Sequence, residues 1–174
     1  MTVEPVARAA TRDPDQLLSE LYREHYHSLV RLARILLDRT EPAEEVVQEA
    51  FIKLHGKIHR VRDRERIDAY LRSIVMNLAR SRMRRRQVAK RHRPAPLPDE
   101  PGADETASLN EGQQEVIDAL RTLSDRQRDC LVLRYYEHLD EAEIAETLGI
   151  SRGSVKTHTS RGMTALTKIL EASS

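Results

Sequence analysis

Apolar side chains recur at helical spacing in three blocks of the first half of the chain. Leu17, Leu18, Leu21, Leu29, Leu32 and Leu36, with His25 in register, predict a long first helix that ends near Asp38. Val46, Val47, Ala50, Phe51, Leu54 and Ile58 predict a second. Pro42 falls in its first turn, and Glu41, Glu44 and Glu45 sit well on the positive end of its dipole. Ile67, Tyr70, Leu71, Ile74, Val75 and Leu78 predict a third, after which the pattern fades into RSRMRRRQVAKRHR. Residues 94–112, PAPLPDEPGADETASLNEG, hold four of the seven prolines and no helical period, so they read as an extended linker. At about 3.3 Å per residue it reaches roughly 60 Å, on the order of two turns of B-DNA. Helical spacing resumes with Val116, Ile117, Leu120 and Leu123. Ser124 caps a further helix on which Gln127, Cys130, Leu131 and Arg134 share a face.

The closing stretch, Leu139 to Leu170, has the layout of a helix-turn-helix. Glu141 to Leu148 predicts a first helix with Ile144, Ala145 and Leu148 inward; Gly149 supplies the turn, Ile150 plugs it, and Ser151 caps a second helix from about Arg152. On that helix Val155, Thr159, Gly162, Leu166 and Ile169 cluster on one side. Gly153, Ser154, Thr157, Ser160, Arg161 and Thr164 lie opposite, with Lys156 at the edge. Short hydroxyls, a glycine and two cations on one face suit a major groove, where Arg or Lys reaches guanine edges. By itself this pair equally suits a solvated helical hairpin, and charge is what separates the two readings. Residues 94–146 carry 4 basic and 14 acidic side chains, whereas residues 147–174 carry 4 and 1. The positive end therefore coincides with the proposed reading helix, as phosphate binding requires.

The whole-chain net charge of +1 hides a second asymmetry: residues 1–93 carry 21 basic and 13 acidic side chains, residues 94–174 carry 8 and 15. Between Arg72 and Arg93 nine residues are basic and none is acidic. The halves thus face different partners, or different parts of one large partner. With 174 residues and 3% aromatics, the chain has room for one ordinary domain or two small ones with cores of Leu, Ile, Val and Ala. The expected fold is all-α: two small helical domains over residues 15–93 and 113–172, joined by the extended linker 94–112. No apolar run is long enough for a transmembrane span, residues 1–16 lack the apolar core of a secretory signal, and the single cysteine excludes an internal disulfide. A reducing, cytoplasmic setting is the simplest expectation.

In this order, the pieces resemble the extracytoplasmic-function group of bacterial RNA polymerase sigma factors over roughly residues 15–170. LYREHYHSLVRLARILLDRTEPAEEVVQEAFIKLH is similar to that family's opening and polymerase-binding helices. AYLRSIVMNLARSRMRRR is similar to the segment that melts and reads the minus-ten element. LRTLSDRQRDCLVLRYYEHLDEAEIAETLGISRGSVKTHTSRGMTAL is similar to the domain that reads the minus-thirty-five element. The resemblance implies a protein without bond-making chemistry or cofactor. Its partners would be core RNA polymerase, through the beta-prime and beta subunits, promoter DNA as duplex and melted non-template strand, and an anti-sigma factor in those members that have one.

Residue by residue, Glu45, Gln48 and Glu49 match the motif that meets a basic coiled coil of beta-prime. Tyr70, Asn77, Arg80, Arg84 and Arg85 match the minus-ten segment, with Arg82 and Arg86 on the same strand path. Asn77 stands near the pocket for a flipped base and VRDRER, residues 61–66, where the family has its variable loop. Arg152, Ser154, Lys156, Thr157, Ser160 and Arg161 match the minus-thirty-five reader, the first two nearest phosphates. The sequence departs from the family at Tyr70, often tryptophan, at Ser81, often an acid, and at Ser160, often bulkier.

Two other classes compete. GISRGSVKTHTSRGMTAL also resembles the reading helix of response-regulator-type transcription activators, but residues 1–93 show neither the strands nor the acidic pocket of a receiver. For an enzyme, His55 and His59 at i and i+4 would bracket a metal, yet HGKIH lacks the zinc-protease glutamate and a third ligand. Two surface histidines and no metal is the expectation. Cys130, on an apolar stripe, reads as a small core residue.

Overall fold

The computed structural model describes residues 13–38, 41–60, 63–92 and 110–173, the side chain of Glu65 excepted, and among these every regular element is helical. The all-α, two-domain expectation holds. The first domain is built from α1 (Pro14–Leu36), α2 (Ala43–His55), a short 3₁₀ turn (Ile58–Arg60) and α3 (Arg64–His92). Asp13 caps α1, accepting from the Asp15 N–H at 3.4 Å, and Pro14 follows where its missing N–H costs nothing. Leu21, Leu32, Val46, Val47, Leu54, Leu71 and Val75 are sealed from solvent where the three helices meet. Truncating one of these leucines to alanine costs about 2–5 kcal/mol.

Three sequence expectations shift here. Pro42 takes the N-cap position of α2 rather than its first turn, leaving Glu44 and Glu45 on the dipole. The pattern that fades after Leu78 does not end a helix, because α3 runs on to His92. Arg, Met, Gln, Lys and Ala are all strong helix formers. The extension is also held from the side: Arg86 reaches Asp38 at 3.4 Å and Glu41 at 3.6 Å, and Lys90 reaches Asp38 at 3.9 Å. Of the predicted loop 61–66, residues 61 and 62 lie outside the described residues, and Arg64 to Arg66 already form the first turn of α3.

The second domain comprises α4 (Glu111–Thr122), α5 (Asp125–Leu131), a π-helical turn (Val132–Tyr136), α6 (Glu141–Leu148) and α7 (Arg152–Ser173). The predicted linker is shortened at its end. Asn110 caps α4 in a reciprocal box with Gln113, so residues 110–112 belong to the cap and first turn; residues 94–109 lie outside the described residues. Ser124 holds the cap position of α5 without a side-chain hydrogen bond. Asp140 caps α6, accepting from Ala142 and Glu143 at 2.7 and 2.9 Å. Gly149 ends α6 at φ 63°, and Ser151 caps α7 by accepting from the Ser154 N–H at 3.1 Å. Against α5, α7 packs at Gly162, where an added Cβ would stand 3.1 Å from Gln127 Cβ.

The two domains are not held apart. α3 packs on α6, and Cys130, Val132, Leu133, Leu139, Ile144 and Val155 join the same apolar cluster as Leu71, Ile74 and Met76. Met76 and Ala79, outside the predicted stripe of α3, are buried at 2% and 0% exposure. α3 thus buries more of its surface than the stripe its own domain covers.

Candidate nucleic-acid interface

The sorting of residues on α7 follows the 3.6-residue period. Val155, Gly162 and Leu166 are buried, while Arg152, Lys156, Thr157, Ser160 and Arg161 are exposed and Ser154 is half-buried. Gly153 and Thr164 are exposed as well. Several hydroxyls on this face are occupied along the helix: Thr157 donates to the Gly153 carbonyl at 3.0 Å and Thr164 to that of Ser160 at 3.1 Å. Arg161 and Lys156 carry the charge outward. Gly149 in the left-handed conformation turns the chain sharply between α6 and α7, and Ile150 donates its N–H back to Ala145 at 3.1 Å. A rigid turn of this kind fixes where the N-terminus of α7 points. The arrangement can offer a helix to a groove while α6 crosses above it.

On α3 the cations are not uniformly presented. Arg84 and Arg85 are exposed, with Arg85 3.4 Å from Ser81 Oγ. Asn77 is exposed, and Tyr70 is half-buried with Lys57 Nζ 5.9 Å from its ring centroid. Arg80 is different: it is 14% exposed, donates to Asn77 Oδ1 at 3.3 Å, and pairs with Asp129 of α5, itself 3% exposed. Burial raises the Asp129 carboxyl above its ordinary range, and the guanidiniums of Arg80 and Arg128 oppose that rise. Arg80 Nε also lies 3.9 Å from Asp125, and Arg84 reaches Asp125 at 3.5 Å. Asn77 and Arg80 border a cleft of about 240 Å³ overhung by Arg126, Thr147 and Gly149 of the second domain.

On α2, Glu45 and Gln48 are exposed and Glu49 is half-buried. Arg82 spans both acids, at 3.4 Å each, so the acidic face of α2 and the basic run of α3 are neighbours. Ile52, 73% exposed, continues that face of α2 beyond Gln48 and Glu49. Helical spacing alone does not mark it, since an apolar residue next to Phe51 reads as core. Asp125 and Asp129 also escape the sequence pattern. Their signal is the opposite charge of the two halves, which speaks of each half's partners without saying that one is the other.

The remaining candidates are accounted for locally. His55 lies 3.5 Å from Asp15, His59 is exposed, and no cluster of three His, Cys, Asp or Glu able to hold a metal is found among the described residues. Cys130 is fully buried, and burial followed by the neighbouring Asp129 pushes its thiol up to about 11. Among the described residues no helix is long and apolar enough to cross a membrane.

Comparison with known proteins assigns both halves. The family description Sigma-70 region 2 matches residues 21–88, and Sigma-70, region 4 matches residues 113–166. The ECF RNA polymerase sigma factor SigM of Mycobacterium tuberculosis is 34% identical over 152 residues, covering 87% of this chain and 76% of that protein. The RNA polymerase sigma-E factor of Streptomyces avermitilis is 29% identical over 155 residues, covering 88% and 84%. In fold, the chain is similar to the sigma factor RpoE in a complex with the anti-sigma factor NepR from Bartonella quintana. The TM-score is 0.70 at 24% identity, over 90% of this chain and 98% of that one. A region 2 match in the first half leaves the response-regulator reading without support. The chain belongs to the extracytoplasmic-function group of bacterial RNA polymerase sigma factors.

Proposed function

We propose that this sigma factor directs core RNA polymerase to its promoters through three surfaces. The exposed face of α7, with Lys156, Thr157, Ser160 and Arg161 over bases and Arg152 and Ser154 nearer phosphates, reads the minus-thirty-five duplex. The basic side of α3 holds the melted non-template strand at the minus-ten element: Arg80, Arg84 and Arg85 follow its backbone, and Asn77 and Tyr70 meet an unstacked base. Glu45, Gln48 and Glu49 on α2 dock on a basic surface of beta-prime. The protein makes and breaks no bond itself. It acts in the cytoplasm, where polymerase works, and an anti-sigma protein is the regulator this family membership suggests.

The observation that carries this reading is the segregation on α7, where every charged side chain of the first three turns is exposed while Val155 and Gly162 are buried. A solvated hairpin has no need to gather its cations, hydroxyls and glycine on one side and exclude acids from it. The test is run-off transcription with purified core enzyme on genomic fragments, followed by sequencing of transcript starts. Starts preceded by a shared pair of elements at fixed spacing are expected. Active core that initiates nowhere in the absence of any inhibitor would reject the assignment.

A further inference from the structure

Asn77 and Arg80 stand one turn apart on α3, and Arg80 Nη1 donates to Asn77 Oδ1 at 3.3 Å. A guanidinium has donors and no acceptor, so the amide atom turned toward it has to be the oxygen. The amino group of Asn77 is thereby turned the other way. Arg80 does this with one arm only. Its Nη2 is the atom that pairs with a carboxylate, so an anion and the amide take separate N–H groups of one guanidinium. The pairing with Asn77 is set by spacing along a single helix. Ser73 and Tyr70 continue the same stripe of α3, at three- and four-residue steps. Ser73 lines the cleft together with Asn77 and Arg80, and its hydroxyl proton is committed to the Tyr70 carbonyl at 2.9 Å, which leaves its oxygen to accept.

We propose that Arg80 is a positioning residue for Asn77: it fixes the amide with its amino group toward the unstacked base, so that α3 selects a keto base, thymine or guanine, over an amino base, cytosine or adenine. The inference rests on the assignment of Asn77 to that base. Left free, an asparagine amide reads either kind, because it can turn to donate or to accept, and its bidentate fit to adenine needs the oxygen. Held by Arg80, it offers N–H groups to O4 of thymine or O6 of guanine. Oδ1 keeps a second lone pair, but an amino group brought to it meets the guanidinium cation as well. The Ser73 oxygen, one turn away, is an acceptor for the ring N–H that neighbours the keto group in thymine and guanine. Neutral cytosine and adenine have no such proton.

The test uses the full chain bound to core polymerase, on a promoter taken from mapped transcript starts. Its minus-ten segment is randomised one position at a time, and bound sequences are counted against the input. The parent chain is expected to favour thymine and guanine over cytosine and adenine about tenfold at one position. Arg80→Met should bring that ratio close to one. Arg80→Gln, whose amide still donates across one turn, should lower affinity for every sequence and keep the preference. Asn77→Asp, at an exposed site, replaces the outward amino group by an oxygen and should reverse the preference; it decides the matter if circular dichroism shows the Arg80→Met variant unfolded. A parent preference for cytosine or adenine, an unchanged ratio in folded Arg80→Met, an equal loss in Arg80→Gln, or no reversal in Asn77→Asp overturns the proposal. Asn77→Ala keeps the two ideas apart. If it abolishes a preference that Arg80→Met leaves intact, the positioning fails and Asn77 remains the reader; if it alters no preference at any position, Asn77 does not meet the base and both ideas fall.

Discussion

Replacing Gly162 by alanine sets helix propensity against space. In the middle of α7 an alanine favours the helix over glycine by about 0.8–1 kcal/mol, so a helix considered alone gains from the change. The Cβ, however, would stand 3.1 Å from Gln127 Cβ, 3.2 Å from Leu131 Cδ1 and 3.3 Å from the Gln127 carbonyl oxygen. The leucine methyl can rotate away. The two Gln127 atoms are carried on the backbone of α5 and cannot move unless the helix moves. Restoring ordinary carbon contact at about 3.5–4.0 Å requires α5 and α7 to separate by roughly half an ångström. Overpacking of this kind costs about 1–3 kcal/mol, which leaves a net loss of about 1 kcal/mol. Urea unfolding followed by circular dichroism should show a lower midpoint at unchanged slope. Since α7 carries the reading face, affinity for the upstream duplex should fall as well. A variant more stable than the parent by about 1 kcal/mol, the value propensity alone supplies, would show that the close approach at Gly162 is relaxed in solution.

Arg161→Ala should relax preference at one upstream base pair by about 1–3 kcal/mol while leaving other positions ranked as before. An equal loss on all upstream sequences, measured by competition, would place Arg161 on phosphate alone. Arg85→Ala should instead weaken DNA binding on every sequence and flatten the salt dependence by about 0.7–0.9 for each phosphate that is no longer neutralised, and a salt slope identical to the parent's would count against it. Cys130, fully buried with its thiol pushed up to about 11, should resist iodoacetamide in the native chain at about pH 8 and react fully in concentrated urea; rapid native labelling would mean that the core under α5 opens readily. The Asp140 carboxyl is held below its ordinary range, first by the Glu143 N–H it accepts. Its contribution is therefore complete above its unfolded pKa of about 3.9 and is lost as pH falls through the lower folded value. Asp140→Asn keeps the cap without the titration, so its acid unfolding curve should be less steep at the low end, and coincident curves would remove Asp140 from the account.

Helix identity was legible because the relevant forces are local. The spacing of Leu29, Leu32 and Leu36, the cap at Ser151 and the turn at Gly149 each act within a few residues. The exposed face of α7 followed from the same period. What lay between the domains was not legible, because Met76 and Thr147 are buried where residues far apart along the chain meet. Asp125 and Asp129 read as ordinary acids of a short helix until Arg80 and Arg84 stand beside them. The π-helical turn escaped as well. It leads into His138 at φ 55°, a conformation that glycine or asparagine normally announces, and the N–H of Leu139 is held by the Leu133 carbonyl at 3.0 Å. Residues 79–92 were missed for a different reason: they are helical without a continuous apolar stripe, kept so by propensity and by acids on α2 and the segment before it.

The contact between α3 and α6 joins two bodies that share one polypeptide, and sharing a polypeptide changes what an interface has to achieve. Covalent connection presents each body to the other at an effective concentration of up to about the millimolar range, so an affinity too feeble to pair separate molecules suffices to keep them together. The Thr147 hydroxyl, buried there without a hydrogen-bonding partner among the described residues, weakens the fit further. An association of that strength persists by proximity and gives way quickly to any ligand that grips either body more firmly.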